Sequence, residues 1–160
     1  MQFVAAFQAL LCLFVTAVHA VSDKDIQLGS AFGGFHGIAF SDINSAQFGQ
    51  VASSITIRSG DRIDAVTLRI AELTLSHGGS GGEDNTLTLT NDEYITSMEI
   101  HWGKKGTSTL VFYLSFGTNA GNFVSGGTAT EDNATVTAPE GFQLSGFFGR
   151  AEGSGTGWVP

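Results

Sequence analysis

The residues best placed to do chemistry lie between Arg58 and Gly82, in the stretch RSGDRIDAVTLRIAELTLSHGGSGG. Within Gly60-Asp61-Arg62-Ile63-Asp64 a carboxylate follows a glycine at Gly-x-x-x-Asp spacing, and downstream Gly78-Gly79-Ser80 offers backbone N–H groups with little side chain in the way. A carboxylate only accepts hydrogen bonds and a bare amide only donates them, so the pair suits a ligand whose hydroxyls do both. That is the chemistry of a sugar. Gly60 can take positive φ and lets a ligand approach the backbone. The plainer reading of Asp64, a turn aspartate capping its own backbone, stays open at this point.

Other chemistries find little support. His36, His77 and His101 lack partners at metal-ligand spacing, so no metal or cofactor is expected. The serine in Gly79-Ser80-Gly81 lacks the outer spacing of a nucleophile elbow. Glu83-Asp84 and Asp92-Glu93 are adjacent pairs, and neighbours on a strand point to opposite faces, which does not set two acids across one bond. No catalytic residue is assigned, and an enzyme is not expected. Gly78 to Glu83 contains one imperfect copy of a calcium β-roll repeat, a motif that works only as a tandem array.

The elements that must position these residues belong to one domain. The 160 residues are 42% hydrophobic, enough for a single core, and no composition shift marks a second one. Met1 to Ala20 carries an uncharged apolar run and ends in Val18-His19-Ala20, small residues that suit signal peptidase, so residues 1–20 are expected to be a secretion signal and 21–160 the mature domain. The apolar run is short for a membrane span, and no membrane insertion is expected. The sole cysteine, Cys12, lies in that leader. A secreted chain without thiols must rely on packing and strand pairing. The net charge of −8 leaves no basic footprint for nucleic acid.

Beyond Val21 helical periodicity is nearly absent, and short runs rich in Val, Ile, Thr, Leu and Phe alternate with Gly, Asn, Asp and Ser clusters. An all-β chain follows, with strands expected over Ala52–Arg58, Ala65–Ile70, Leu73–Ser76, Thr86–Thr90, Ile95–Trp102, Thr109–Phe116, Ala134–Thr137 and Leu144–Phe148. Paired glycines recur at Gly33-Gly34, Gly78-Gly79 and Gly126-Gly127, and turn glycines at Gly60, Gly103 and Gly149, both at roughly 45-residue intervals. Two series with one period point to three copies of a unit about the size of a Greek key. Phe112, Phe116, Phe142, Phe147 and Phe148, with Tyr94 and Trp102, are read as core rather than sugar platforms.

The runs Gly33-Gly34-Phe35-His36-Gly37-Ile38-Ala39-Phe40-Ser41-Asp42, Ile63-Asp64-Ala65-Val66, His77 to Gly82, Glu93-Tyr94-Ile95-Thr96, Phe116-Gly117-Thr118-Asn119 and Gly146 to Arg150 together resemble the signature order of jacalin-related lectins. The resemblance covers about Gly33 to Arg150, and the ordered set is specific although each piece is weak. It implies a β-prism of three four-stranded Greek-key sheets with pseudo-threefold symmetry. It also implies a primary sugar site joining an N-terminal Gly-Gly loop to a C-terminal Gly-x-x-x-Asp turn, with a second site at the equivalent turn of another repeat in some members.

Carried over by residue, the turn Gly60, Asp61, Arg62, Ile63, Asp64 with Gly78, Gly79 and Ser80 matches the second site. The primary site is degenerate: Gly33 and Gly34 keep their loop, but the C-terminal side offers only Gly153, Ser154, Gly155 and Thr156, without the aspartate. Gly103-Lys104-Lys105-Gly106-Thr107 lacks a carboxylate as well. The family's last strand normally runs further than Trp158 and Val159 reach, so part of it is expected to be missing and one sheet edge open to self-association. Galactose-specific relatives use a free N-terminal glycine, whereas Gly33 is internal, which favours mannose or glucose. Asn133-Ala134-Thr135 is a glycosylation sequon in a polar stretch. The expected function is a secreted lectin for such glycans; the alternative is a protein-interaction or structural β-prism with decayed sugar sites.

Overall fold

The computed structural model describes residues 7–16, 26–46 and 49–151. They form thirteen strands: β1 (Phe7–Thr16), β2 (Ile26–Leu28), β3 (Phe32–Gly33), β4 (Ile38–Ser41), β5 (Ala52–Ser59), β6 (Ile63–Ile70), β7 (Leu73–Gly78), β8 (Glu83–Thr88), β9 (Ile95–Lys105), β10 (Ser108–Thr118), β11 (Phe123–Gly127), β12 (Asp132–Thr137) and β13 (Phe142–Ala151). The eight expected strands are all present, mostly longer than expected. β11 was not anticipated, since its FVSGG sequence ends in two glycines that read as loop. β1 falls within the stretch read as a leader.

Every pairing is antiparallel, in three sheets. Two are four-stranded, ordered β7-β6-β5-β8 and β11-β10-β9-β12; the third runs β2-β1-β13-β4 with β3 also on β1, five strands where four were expected. In the first two, the strand that returns after the third lies beside the first, the order of a Greek key. Each inner hairpin is interrupted on the strand leading away from the turn. β6 sets Ala65 against Arg58 and Ile63 against Ser59, leaving Asp64 as a bulge, and β10 does the same at Phe112, between Val111 and Tyr113.

Glycines explain where the outer strands end. Gly78 and Gly127 sit opposite Ala65 and Tyr113 with φ of 118° and 84°, a left-handed conformation that side chains resist. The residues after them then bond the bulges: Gly79 N–H donates to the Asp64 carbonyl at 2.8 Å and Thr128 N–H to the Phe112 carbonyl at 2.9 Å. The turn-glycine series needs correction. Gly60 is at a turn, but Gly103 pairs with Leu110 inside β9 and Gly149 with Phe40 inside β13, because the β9–β10 hairpin extends to Gly106 and β13 to Ala151.

Alternation within the strands sends Ile55, Ile57, Val66, Leu68, Ile100, Leu114 and their neighbours into one shared core. Phe116 and Phe147, both fully buried, meet there with ring centroids 5.8 Å apart. Of the other aromatics expected in the core, Phe112, Phe142, Phe148, Tyr94 and Trp102 are half-buried. Trp102 stacks on Phe32 at 5.5 Å, which ties β9 to β3. At the other end of the strands Glu93, 2% exposed, accepts from Thr90 N–H, Thr90 Oγ1, Thr118 Oγ1 and Asn122 Nδ2. Those donors, Asn122 first, hold its carboxyl down to about 2.

Because Phe116 is sealed on all sides, Phe116→Ala should cost about 3–5 kcal/mol in urea unfolding monitored by fluorescence or circular dichroism. A loss below about 1 kcal/mol would mean that the three sheets do not share a packed centre.

Candidate functional site

Asp64 is where the sequence and the fold converge. As a bulge residue it leaves the β5–β6 ladder, and the loop from Gly78 to Gly82 covers it, so it is only 4% exposed in a strand whose first four residues are all buried. The cover depends on missing side chains. A Cβ at Gly78 would collide with the Asp64 carbonyl and Ala65, and one at Gly82 would strike Ser59 and come within 2.8 Å of Asp64 Oδ2. Gly60, by contrast, faces open space and is exposed. The structure therefore brings Gly60, Asp61, Arg62, Ile63 and Asp64 together with Gly78, Gly79 and Ser80. Ile63 is core, while Asp61 and Ser80 lie on the surface.

Two polar atoms of this corner lack hydrogen-bond partners among the described residues although both are buried: Asp64 Oδ1 and Arg62 Nε. The Arg62 guanidinium stands 3.8 Å from Oδ1, an ion pair too long for a hydrogen bond. Buried polar groups are ordinarily paired, and an acceptor and a donor left open side by side are suited to a hydroxyl. Burial pushes the Asp64 carboxyl above its ordinary value of 3.8, against the opposing pull of Arg62, a backbone bond from Gly60, and the charges of Lys105 and Arg58. Arg58 is itself fixed, with its Nη2 2.7 Å from Asp84 Oδ2 and its Nη1 3.5 Å from the Ser80 carbonyl.

The remaining predicted residues are elsewhere. The loop carrying Gly33 and Gly34 has left-handed Gly33 and Gly37, and Arg150 Nη1 donates to the Gly37 carbonyl at 2.9 Å. Its proposed partners Gly153, Ser154, Gly155 and Thr156 lie outside the described residues, as do Trp158 and Val159. Asn133 sits on edge strand β12 rather than in a loop, exposed, its Nδ2 bonded to the Glu131 carbonyl. A cleft of about 650 Å³, lined by residues that include Val51, Asp92, Tyr94 and Gln143, opens at the far end of β5, away from Asp64.

Sequence reasoning missed Arg58, Gly82 and Lys105 as parts of the corner. Arg58 bounded the stretch but carried no motif, Gly82 closed the His77 to Gly82 run without being assigned to the site, and Lys105 arrives from another hairpin. It also missed the pair His77–Asp42, in which Nε2 lies 2.8 Å from Oδ1 while Asp42 Oδ2 accepts Phe147 N–H at 2.9 Å. Phe40 stacks on that imidazole at 3.8 Å, fastening β7 to the sheet of β4 and β13. Among the described residues no three His, Cys, Asp or Glu side chains gather as a metal site.

Antiparallel sheets around one core, with a carboxylate bulge lidded by glycines, define an all-β protein with a buried acid at a strand turn. The chain belongs to the family of the Jacalin-like lectin domain, whose sequence model matches residues 29–155. It is 29% identical over 148 residues to the "Secreted RxLR effector protein 19" of Plasmopara viticola, covering 88% of this chain and 82% of that protein. It is likewise similar to Malaysian banana lectin, with TM-score 0.63, 29% identity, and 77% and 86% of the two chains covered. AcmJRL, a mannose binding jacalin related lectin from Ananas comosus, shares the fold with TM-score 0.62 at 24% identity, over 74% of this chain and 86% of its own.

Since the folded chain holds the Asp64 proton more tightly than an unfolded one, this group's contribution to stability is full below pH 3.8 and is lost as pH rises through the raised folded value. Asp64→Asn should remove that loss. Thermal unfolding followed across pH 3 to 7 should show the variant gaining on the parent protein over the window above 3.8; a variant that falls further behind as pH rises would contradict the assigned burial cost.

Proposed function

We propose that the protein is a secreted carbohydrate-binding lectin of the mannose or glucose class, working through the Asp64 corner. The observation that carries this reading is the unpaired, buried Oδ1 of Asp64 near the unpaired Nε of Arg62, beneath the loop Gly78 to Gly82, whose one side chain is that of Ser80. A pyranose hydroxyl can donate to Oδ1 and accept from the guanidinium or from a backbone N–H, replacing the water that burial removed. The ligand's own hydroxyls supply the specificity, and no bond to it is made or broken. The arrangement is that of a β-prism with pseudo-threefold symmetry, in which one of three alike corners carries the acid.

The internal position of Gly33 supports mannose or glucose over galactose. Export rests on the apolar leader Met1 to Ala20 and on similarity to a relative named as a secreted effector. In that setting Asn133, exposed on an edge strand, is an accessible acceptor for a glycan of its own. Glycans are the partners proposed, alongside self-association of the domain.

The reading is tested on a glycan array with the parent protein and Asp64→Asn. A charge-assisted hydrogen bond contributes about 1.5–3 kcal/mol, so binding to mannose- or glucose-terminated glycans should fall roughly 10- to 100-fold. Binding should also weaken as pH is lowered through the Asp64 titration, because protonation removes the charge that strengthens the hydrogen bond accepted from the sugar hydroxyl. Equal binding by parent and variant, or recognition of no glycan at all, would defeat the proposal and favour a β-prism kept for protein contacts.

A further inference from the structure

The three inner strands β5, β9 and β13 receive their next neighbour by different routes. β5 turns directly into β6 and β9 into β10, but the strand in the same position beside β13 is β1, from the distant N-terminal end of the sequence. The match goes beyond adjacency. β6 skips Asp64 against β5 and β10 skips Phe112 against β9; β1, with Ala9 on Arg150 and Phe7 on Ala151, skips Gln8 in the corresponding place. A second interruption falls on the inner strand each time, at Ser53, Thr96 and Ser145. A left-handed glycine then faces the residue after the first bulge: Gly78 on Ala65, Gly127 on Tyr113 and Gly33 on Ala9.

An apolar segment resting on an open edge would need none of these registers. We infer that Phe7–Thr16, whatever its part in export, is a structural strand of the domain, filling for β13 the place that β6 and β10 fill for β5 and β9. Among the described residues β2 and β3 pair with β1 and with no other strand, and β1 covers one side of β13. Removing residues 1–20 therefore strips the ladder from three strands at once and leaves β13 with an edge that can recruit another chain. The domain left after leader cleavage is an opened form of the one with the leader in place.

The test compares the full chain, produced with its N-terminus intact, with a chain beginning at Val21. The shortened chain should unfold at lower urea, self-associate in sedimentation, and exchange amide hydrogens at least tenfold faster in β2, β3 and β13, while β5, β6, β9 and β10 stay protected. Leu10→Pro in the full chain serves as the second variant. Leu10 pairs with Gly149 on one side and Phe32 on the other, so its N–H has a ladder partner to lose whichever way it points. It should reproduce the exchange pattern without any change of length. Failure of the Val21 chain to fold would support the inference. The same urea midpoint, a monomer, and unchanged exchange in β13 for both variants would overturn it. None of these readouts depends on whether Asp64 binds a sugar.

Discussion

The hydrogen bond from Gly79 N–H to the Asp64 carbonyl is the constraint on which the corner depends. It forms only because Asp64 has been expelled from its ladder as a bulge, which frees the carbonyl, and because Gly78 takes a left-handed turn that aims the next amide at it. The loop that follows is drawn across the Asp64 side chain. One backbone contact thus converts an ordinary hairpin into a covered carboxylate, and glycine at Gly78 and Gly82 is a steric requirement of that cover.

The cover has an electrostatic cost that the surroundings only partly offset. Desolvation outweighs the charges of Arg62, Lys105 and Arg58 and the Gly60 backbone bond, so the carboxyl is held above its usual range. Arg58 is already engaged by Asp84, and Arg62 stands too far for a hydrogen bond. An acid so placed keeps one buried oxygen, Oδ1, without a hydrogen-bond partner among the described residues. The Phe112 bulge, built by the same register, has no carboxylate to present; it shows that the backbone device serves the fold and that the acid is a local addition to it.

Much of this was legible in the residues. Alternation marked eight strands, and the Gly-x-x-x-Asp turn with its glycine loop located the corner before any geometry was known. Bulges were not legible, because a single residue skipped in a ladder leaves no trace in hydrophobic period. For that reason Gly103 and Gly149 passed for turn residues, and a carboxylate was sought just after Gly103, although the β10 bulge corresponding to Asp64 falls at Phe112, beyond an extended hairpin. β1 was hidden for a different reason: an uncharged apolar run reads as an export signal whether or not its backbone also has a ladder to join. The pairs His77–Asp42 and Trp102–Phe32 join residues from separate sheets, and no sequence spacing encodes such contacts.

The central claim, that a hexose docks at one acid-bearing corner of three alike ones, is tested most directly by nuclear magnetic resonance titration with methyl α-mannoside and methyl α-glucoside. The account predicts amide shifts concentrated at Gly60 to Arg62 and Gly78 to Gly82, with the Gly106 hairpin tip and the loop at Gly33 and Gly34 nearly unmoved. Shifts centred on Gly33 and Gly34, or spread evenly over the surface at all sugar concentrations, would contradict it.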